Sequence, residues 1–366
     1  MEFPLAQISV RGFKSFYEAE AELRPMNVMI GANSAGKSNF VSLFPFIEAA
    51  VGDRLHEHVL QGGGPDTFCH YGLKNTPRFS LRFTFRSAPL SDPSAAGGYC
   101  SYDSVYAATH ANTLIEVDKA FSARTDMAGH GASESPGACP RGIERAIRDF
   151  LGRMGVYQFH DTSATARVRG MAYVHDNGRL RPDGQNLAAF LYYLRERHPG
   201  NYRSIIETVR QTFPHFDDFD VSPLRLNADQ VTLNWRERDR DVLFGPQHLS
   251  DGLLRFIALC ALLLQPPREM PPLMVIDEPE LGLHPYATRI LASLMQKASC
   301  HCQVIAATQS VTLVNEFGPE DIMVVDRLAG LSTLKRPDPA KLHDWLEEYT
   351  LGELWEKNVL GGRPAP

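Results

Sequence analysis

Eight residues, Gly31-Ala-Asn-Ser-Ala-Gly36-Lys37-Ser38, constrain this chain more than any other feature. They fit the pattern GxxxxGK[ST], and they stand between an apolar run at 26–30 (MNVMI) and a stretch with apolar residues at helical spacing: Phe40, Leu43, Phe44, Ile47 and Ala50. A strand that runs into such a loop and out into a helix is suited to binding phosphate. The glycines let the backbone curl until successive N–H groups face inward, and the helix start adds its positive end. Lys37 brings a mobile charge to the phosphates, and Ser38 offers a hydroxyl to Mg²⁺. By average residue usage the pattern arises by chance in roughly one chain in a hundred of this length, and its placement lowers that further. Pro45, inside the helical stretch, is expected to kink the helix or end its first part.

The rest of the chain supplies elements for a sheet around this loop. Residues 5–10 read as a strand, and the alternation of Phe79, Leu81, Phe83 and Phe85 predicts a half-buried one. Segments 87–101 and 125–142 are rich in Ser, Ala, Gly and Pro and read as loops. Helical patterning follows over 143–154 and 185–213, then a strand at 230–235 and an apolar helix at 253–265. Short apolar strands at 273–276, 303–307 and 321–325 surround a helix at 286–298, which predicts a parallel sheet covered on both faces. There is no internal repeat and no sustained heptad, so a long coiled coil is not expected.

Bulk properties exclude some classes. The net charge of −6 rules out a uniformly basic surface, although charge can still be concentrated locally. Arg141, Arg145 and Arg148 share one helical face, and Arg236, Arg238 and Arg240 alternate as on a candidate strand. Either set could meet a phosphate backbone; a solvated face is the commoner outcome. The six cysteines lack metal-site spacing and read as reduced thiols of a cytoplasmic protein. No signal peptide is evident at the N-terminus, and no apolar run reaches the roughly 18 residues of a membrane helix.

Two further motifs accompany the loop. Leu273-Met-Val-Ile-Asp277-Glu278 is an apolar strand ending in two carboxylates. Beside a phosphate loop, Asp277 suits Mg²⁺, and Glu278 suits polarising a water that attacks the terminal phosphate. Leu249-Ser250-Asp251-Gly252 precedes the apolar helix; Ser250 is a good cap, and Gly252 allows close backbone approach. His160 and His284 lie near motifs but read as structural, and Lys14 could serve nucleotide, DNA or only the surface.

In this order the motifs resemble the ABC ATPase superfamily, in the branch of SMC-, RecF- and OLD-like proteins. The likeness rests on Gly12-Phe13-Lys14-Ser15-Phe16, on the loop ending Gly-Lys-Ser-Asn39, and on Leu249 to Gly252 as a signature with Asp251 where transporters carry glycine. It also rests on Asp277-Glu278-Pro279-Glu280 with Leu283-His284-Pro285. Segments Phe159-His-Asp-Thr-Ser163 and Leu351-Gly-Glu-Leu-Trp-Glu through Gly361-Gly-Arg-Pro364 look like stand-alone bacterial members.

The resemblance implies an α/β P-loop ABC-type head with a mixed or antiparallel β-subdomain. A helical lobe would lie between the phosphate loop and the signature. The core would be 1–86 with 221–366, and 87–220 would hold inserted strands, loops and that lobe. ATP and Mg²⁺ would be bound by Gly31, Asn33, Ser34, Ala35, Gly36, Lys37, Ser38 and Asn39, and two copies would sandwich the nucleotides so that Ser250 and Gly252 of one reach the phosphate held by the other. Glu278 would be catalytic, Asp277 and Ser38 would hold the metal, and Gln309 stands where many ABC proteins carry a switch histidine. Gln61, beside three glycines, is the candidate for a metal-linked glutamine. The purpose of the cycle stays open between a DNA-associated clamp, in repair or anti-phage defence, and a switch controlling a separate effector protein. A Toprim nuclease domain, which OLD proteins carry, has no room after residue 330.

Overall fold

The computed structural model describes residues 3–86, 98–109, 112–124 and 137–362. At its centre is β3 (Met26–Ile30), all five residues of which are buried. A continuous apolar run of this kind forms where a strand is covered on both faces. It lies in a six-stranded sheet of order β18-β17-β3-β16-β15-β8. Its partners are β8 (Gly155–Tyr157), β15 (Leu273–Asp277), β16 (Gln303–Ala307), β17 (Ile322–Leu328) and β18 (Leu331–Lys335). All pairings are parallel except β17 with β18.

Because side chains alternate across a strand, each central strand feeds two cores. Met274, Ile276, Val304 and Ala306 join one, and Leu273, Val275, Ile305 and Ala307 the other. The first core holds α5 (Leu187–Arg197), α6 (Pro199–Thr212), α7 (Asp251–Leu263) and α8 (Pro285–Ser299). It is closed by α9 (Val311–Val314) and α11 (Leu351–Glu356), with α10 (Pro339–Leu346) between them in sequence. The second holds α1 (Lys37–Val41), α2 (Leu43–Val51), α3 (Leu55–Gln61) and α4 (Arg141–Arg153).

A six-stranded antiparallel sheet packs into the second core in the order β2-β1-β4-β5-β6-β7. Its strands are β1 (Leu5–Phe13), β2 (Phe16–Glu22), β4 (Arg78–Arg86), β5 (Tyr99–Ala108), β6 (Leu114–Arg124) and β7 (Gly137–Ala138). Phe79, Leu81, Phe83 and Phe85 all point into it, as their alternation predicts. Two small sheets cap the helical side: β9 (Ala172–Tyr173) with β11 (Pro223–Leu224) and β12 (Asn227–Val231), and β10 (Phe216–Asp220) with β13 (Asn234–Glu237) and β14 (Leu243–Phe244).

Several expectations change. Residues 87–97 and 125–136 of the expected loops lie outside the described residues. The remainder is ordered structure: 99–101 open β5, 137–138 form β7, and Arg141 and Gly142 begin α4. The strand expected at 230–235 is two strands, broken at Thr232 and Leu233. Within 87–220, β5 pairs along its length with β4, and β8 pairs with β15 at the heart of the fold. The helix after the phosphate loop breaks at Ser42, and Pro45 lies in the first turn of α2, where its missing N–H costs nothing. No helix among the described residues is long and apolar enough to cross a membrane.

Candidate active site

The phosphate loop leaves the C-terminal end of β3, where strands of an open parallel sheet present their ligands. Gly36 has a left-handed backbone (φ 123°), and a Cβ there would stand 2.5 Å from the Ser332 hydroxyl of β18. That hydroxyl donates to the Ala35 carbonyl at 2.6 Å, and Arg327 Nη1 donates to the Ser34 carbonyl at 3.2 Å. Asn39 Nδ2 donates to Ser15 Oγ at 2.8 Å, tying the loop to the β1–β2 turn. The tail reaches the same place: a Cβ on Gly362 would stand 3.3 Å from Gly31 Cα. Lys37 is only 7% exposed, and its Nζ donates to the carbonyls of Gly31 (2.6 Å) and Ala32 (3.2 Å). Burial pushes its ammonium below the usual lysine range, while Glu278, Asp277 and Glu280 pull the other way. Three carboxylates thus act on the charge of the loop lysine. Lys14, Ser15, Asn39, Tyr71 and Arg327 line a polar hollow of about 330 Å³ on the β1–β2 side of the loop.

The carboxylates sit where β15 ends. Burial raises the Asp277 carboxyl above its usual range, Glu278 adds to this, and His160, Gln158 and Lys37 oppose it. Gln158 Nε2 donates to Asp277 Oδ2 at 3.1 Å, and His160 Nε2 lies 3.1 Å from the Asp277 carbonyl. Glu278 has a left-handed backbone (φ 45°), uncommon outside glycine. Its N–H donates to the Ala307 carbonyl at 2.8 Å. Gln309 Nε2, just beyond β16, donates to Glu278 Oε1 at 2.8 Å. Parallel pairing of β15 with β16 brings the two side chains together, since Asp277 is opposite Ala307 in the register.

Gln61 takes a different place. It ends α3, is exposed, and donates to Glu57 Oε1 at 3.1 Å. The amide that reaches Asp277 belongs to Gln158, a residue the sequence reading passed over. A three-residue strand such as 155–157 is too short to show a period, so nothing marked the position after it as a site.

Ser250 and Gly252 line another hollow, with Phe213, Trp235, Leu283 and His284, and not the one lined by Ser38 and Gln158. Ser250 caps α7, its hydroxyl accepting from Leu253 N. A Cβ on Gly252 would collide with the Gly282 carbonyl, so the signature and the turn at 281–284 pack backbone to backbone. Asp251 has a partner here: Arg169 Nη2 at 2.7 Å. Arg169 is buried and also donates to the carbonyls of Thr162, Pro246 and Leu249. On α7, Arg255 donates to the carbonyls of Phe159, His160 and Leu281.

The other candidates are placed as follows. His284 caps α8 through Tyr286 N. Arg236 in β13 pairs with Asp220, and Arg240, beyond the strand, pairs with Glu237. Arg141, Arg145 and Arg148 are exposed on α4, and Arg148 lies over the Phe121 ring.

Residues 158–315 match the family model described as "AAA domain, putative AbiEii toxin, Type IV TA system". The whole fold superposes on a solved SMC head bound to the C-winged helix domain of ScpA, with TM-score 0.62 and 12% identity, covering 93% of this chain and 99% of that one. A second SMC head, with an extended coiled coil and bound to the C-terminal domain of ScpA from Pyrococcus furiosus, gives TM-score 0.59 at 13% identity, covering 94% and 99%. No curated protein matches the chain. The likeness to solved structures concerns the fold, and the family match concerns residues 158–315. The chain thus shares the fold of SMC heads, and its segment 158–315 is similar to the AAA family model.

Proposed function

We propose that the protein binds Mg²⁺–ATP and hydrolyses it in a dimer that sandwiches two nucleotides. The observation that carries this is Gln309 bonded to Glu278 at 2.8 Å, beside a buried Lys37 at the mouth of the phosphate loop. The donor set fits the ligands. The backbone of 31–36 forms a cradle, Lys37 supplies the cation, and Ser38, Asp277 and Gln158 supply the oxygens a hard divalent ion prefers. Mg²⁺, when bound, would neutralise charge on the phosphates. Lys37 would release its carbonyls for phosphate oxygens, Glu278 would orient the attacking water, and Gln309 would hold Glu278. The polar hollow lined by Lys14, Tyr71 and Arg327 is the place for the sugar and base. Dimerisation is supported by the separation of two half-sites: Ser38 and Ser250 line different hollows of one chain.

In this reading the protein is a cytoplasmic clamp in DNA maintenance or anti-phage defence. The exposed arginines of α4 support contact with a phosphate backbone. A second reading, a switch that controls a separate effector without touching DNA, is supported by the engagement of Arg236 and Arg240 with neighbouring carboxylates and by the ScpA domains on the solved heads.

Glu278→Gln should lower turnover at least about 100-fold while nucleotide binding persists, and ATP should shift the variant to a dimer in light scattering. Turnover at the wild-type rate would remove Glu278 from its role. DNA binding driven by phosphates should weaken steeply with salt; no complex at low salt with ATP present would favour the switch.

A further inference from the structure

We propose that Glu280 is a positioning residue, which sets Gln309 against Glu278 and ties that pair to the exposed turn at 281–284. The proposal rests on the ATPase reading above. Glu280 Oε1 accepts two bonds from the segment that carries the switch, from Thr308 Oγ1 at 2.5 Å and from Gln309 N at 3.3 Å. Thr308 is fully buried, its N–H donates to the Met29 carbonyl at 2.9 Å, and its hydroxyl also accepts from Ser310 N at 2.9 Å. One side of the clamp is thus fixed to the central sheet immediately beside the phosphate loop. Gln309 then has two holds: its N–H on Glu280, and its side-chain amide on Glu278.

The other side of the clamp is the turn. Residues after Glu280 meet the signature helix, where Arg255 donates to the Leu281 carbonyl and Gly252 lies against the Gly282 carbonyl. Leu281, Gly282 and His284 are exposed. A surface that covered this turn would act on Gln309 through one carboxylate, with no contact to either catalytic side chain.

The chemistry explains why the residue is glutamate. A planar sp² oxygen can accept a hydroxyl and an N–H at once, and aspartate would fall one methylene short. Glu280 Oε2 is buried with no partner, so the carboxylate is held by one oxygen. Burial pushes this carboxyl above the usual range, against the pull of Thr308 and the backbone. A glutamine at 280 keeps an accepting oxygen; an alanine keeps none.

Steady-state ATPase assays on the full chain test the proposal, with Glu280→Ala, Glu280→Gln, Gln309→Ala and the Glu280→Ala/Gln309→Ala pair, each checked for folding by thermal melting. Glu280→Ala should lower kcat about 10- to 50-fold with KM unchanged within about twofold, because the binding groups stay in place. Glu280→Gln should stay within about threefold of wild type, and the pair should lose no more than Gln309→Ala alone, since the two act in series. Wild-type kcat in Glu280→Ala, a loss confined to KM, or losses that multiply in the pair would each overturn it. If Glu280→Ala does not fold, Thr308→Val removes one donor and should lower kcat about 3- to 10-fold. A Thr308→Val variant at the wild-type rate would count against the proposal. A wild-type chain without any turnover would overturn the ATPase reading itself, and this proposal with it.

Discussion

The phosphate loop and the signature loop are both glycine-containing turns that open a helix, yet they are built in opposite ways. The first is braced by its own chain. Ser332 and Arg327, Ser15 (through Asn39) and Gly362 meet it from three distant segments, and Lys37 is turned inward. The second is braced only from behind, by buried Arg169 and by the turn at Gly282, while Ser250 and Asp251 face solvent. A finished site needs its backing on every side except the ligand's. A presented surface needs backing on one side only. On the proposed function, the first loop would bind within the protomer, and the second would meet a partner copy brought to it.

Substitutions should separate the two loops cleanly. Lys37→Ala should weaken nucleotide binding about 100-fold, matching the loss of a charged hydrogen-bonding group worth about 3 kcal/mol. Calorimetric titration checks this, and affinity within threefold of wild type would break the account of a self-contained first loop. Arg169→Ala should lower stability by about 2–3 kcal/mol in urea unfolding, because it strands buried carbonyls that now receive its donors. Binding of nucleotide to the monomer should hardly change. Ser250→Ala should remove a helix cap at a cost of about 1 kcal/mol, with monomer affinity for nucleotide unaltered. A large loss of monomer affinity there would merge the two loops into one site.

The smallest effect concerns pH. Glu280 has its carboxyl raised by burial, so the native state holds that proton more tightly than the unfolded chain does. Its contribution to stability is present below the ordinary carboxyl range and is lost as pH rises through the raised value. Glutamine cannot ionise. Glu280→Gln should therefore melt about 1–2 °C above wild type at pH 8, with the gain fading toward pH 4. A gain that grows on acidification would have the sign wrong.

Much of the first loop was legible because its signals are local. A buried strand, a glycine pattern and a helix start follow one another within 26–41, and each has its own period or composition. The strands at 273–277 and 303–307 were legible for the same reason, as continuous apolar runs covered on both sides. The supports of the second loop were not. Arg169 and Arg255 are charged residues that a sequence offers to solvent, yet each spends its guanidinium on buried backbone carbonyls far along the chain. The long β5–β6 ladder was hidden because Tyr102, Ser104 and Tyr106 fill its inward positions, and polar atoms there blur the alternation. Gln158 lacked any signal, since its role depends on where β8 docks rather than on its neighbours.

The contact of Gly362 with Gly31 carries a consequence for how the molecule is made. Every residue proposed to read the nucleotide has been translated once Gln309 is synthesised, but the segment around Gly362 that buttresses Gly31 is still to come. At about 5–20 residues per second a growing chain passes through an interval of seconds in which its phosphate loop lacks that support. On the proposed function, the loop that would hold nucleotide gains this support only once the segment around Gly362 has docked.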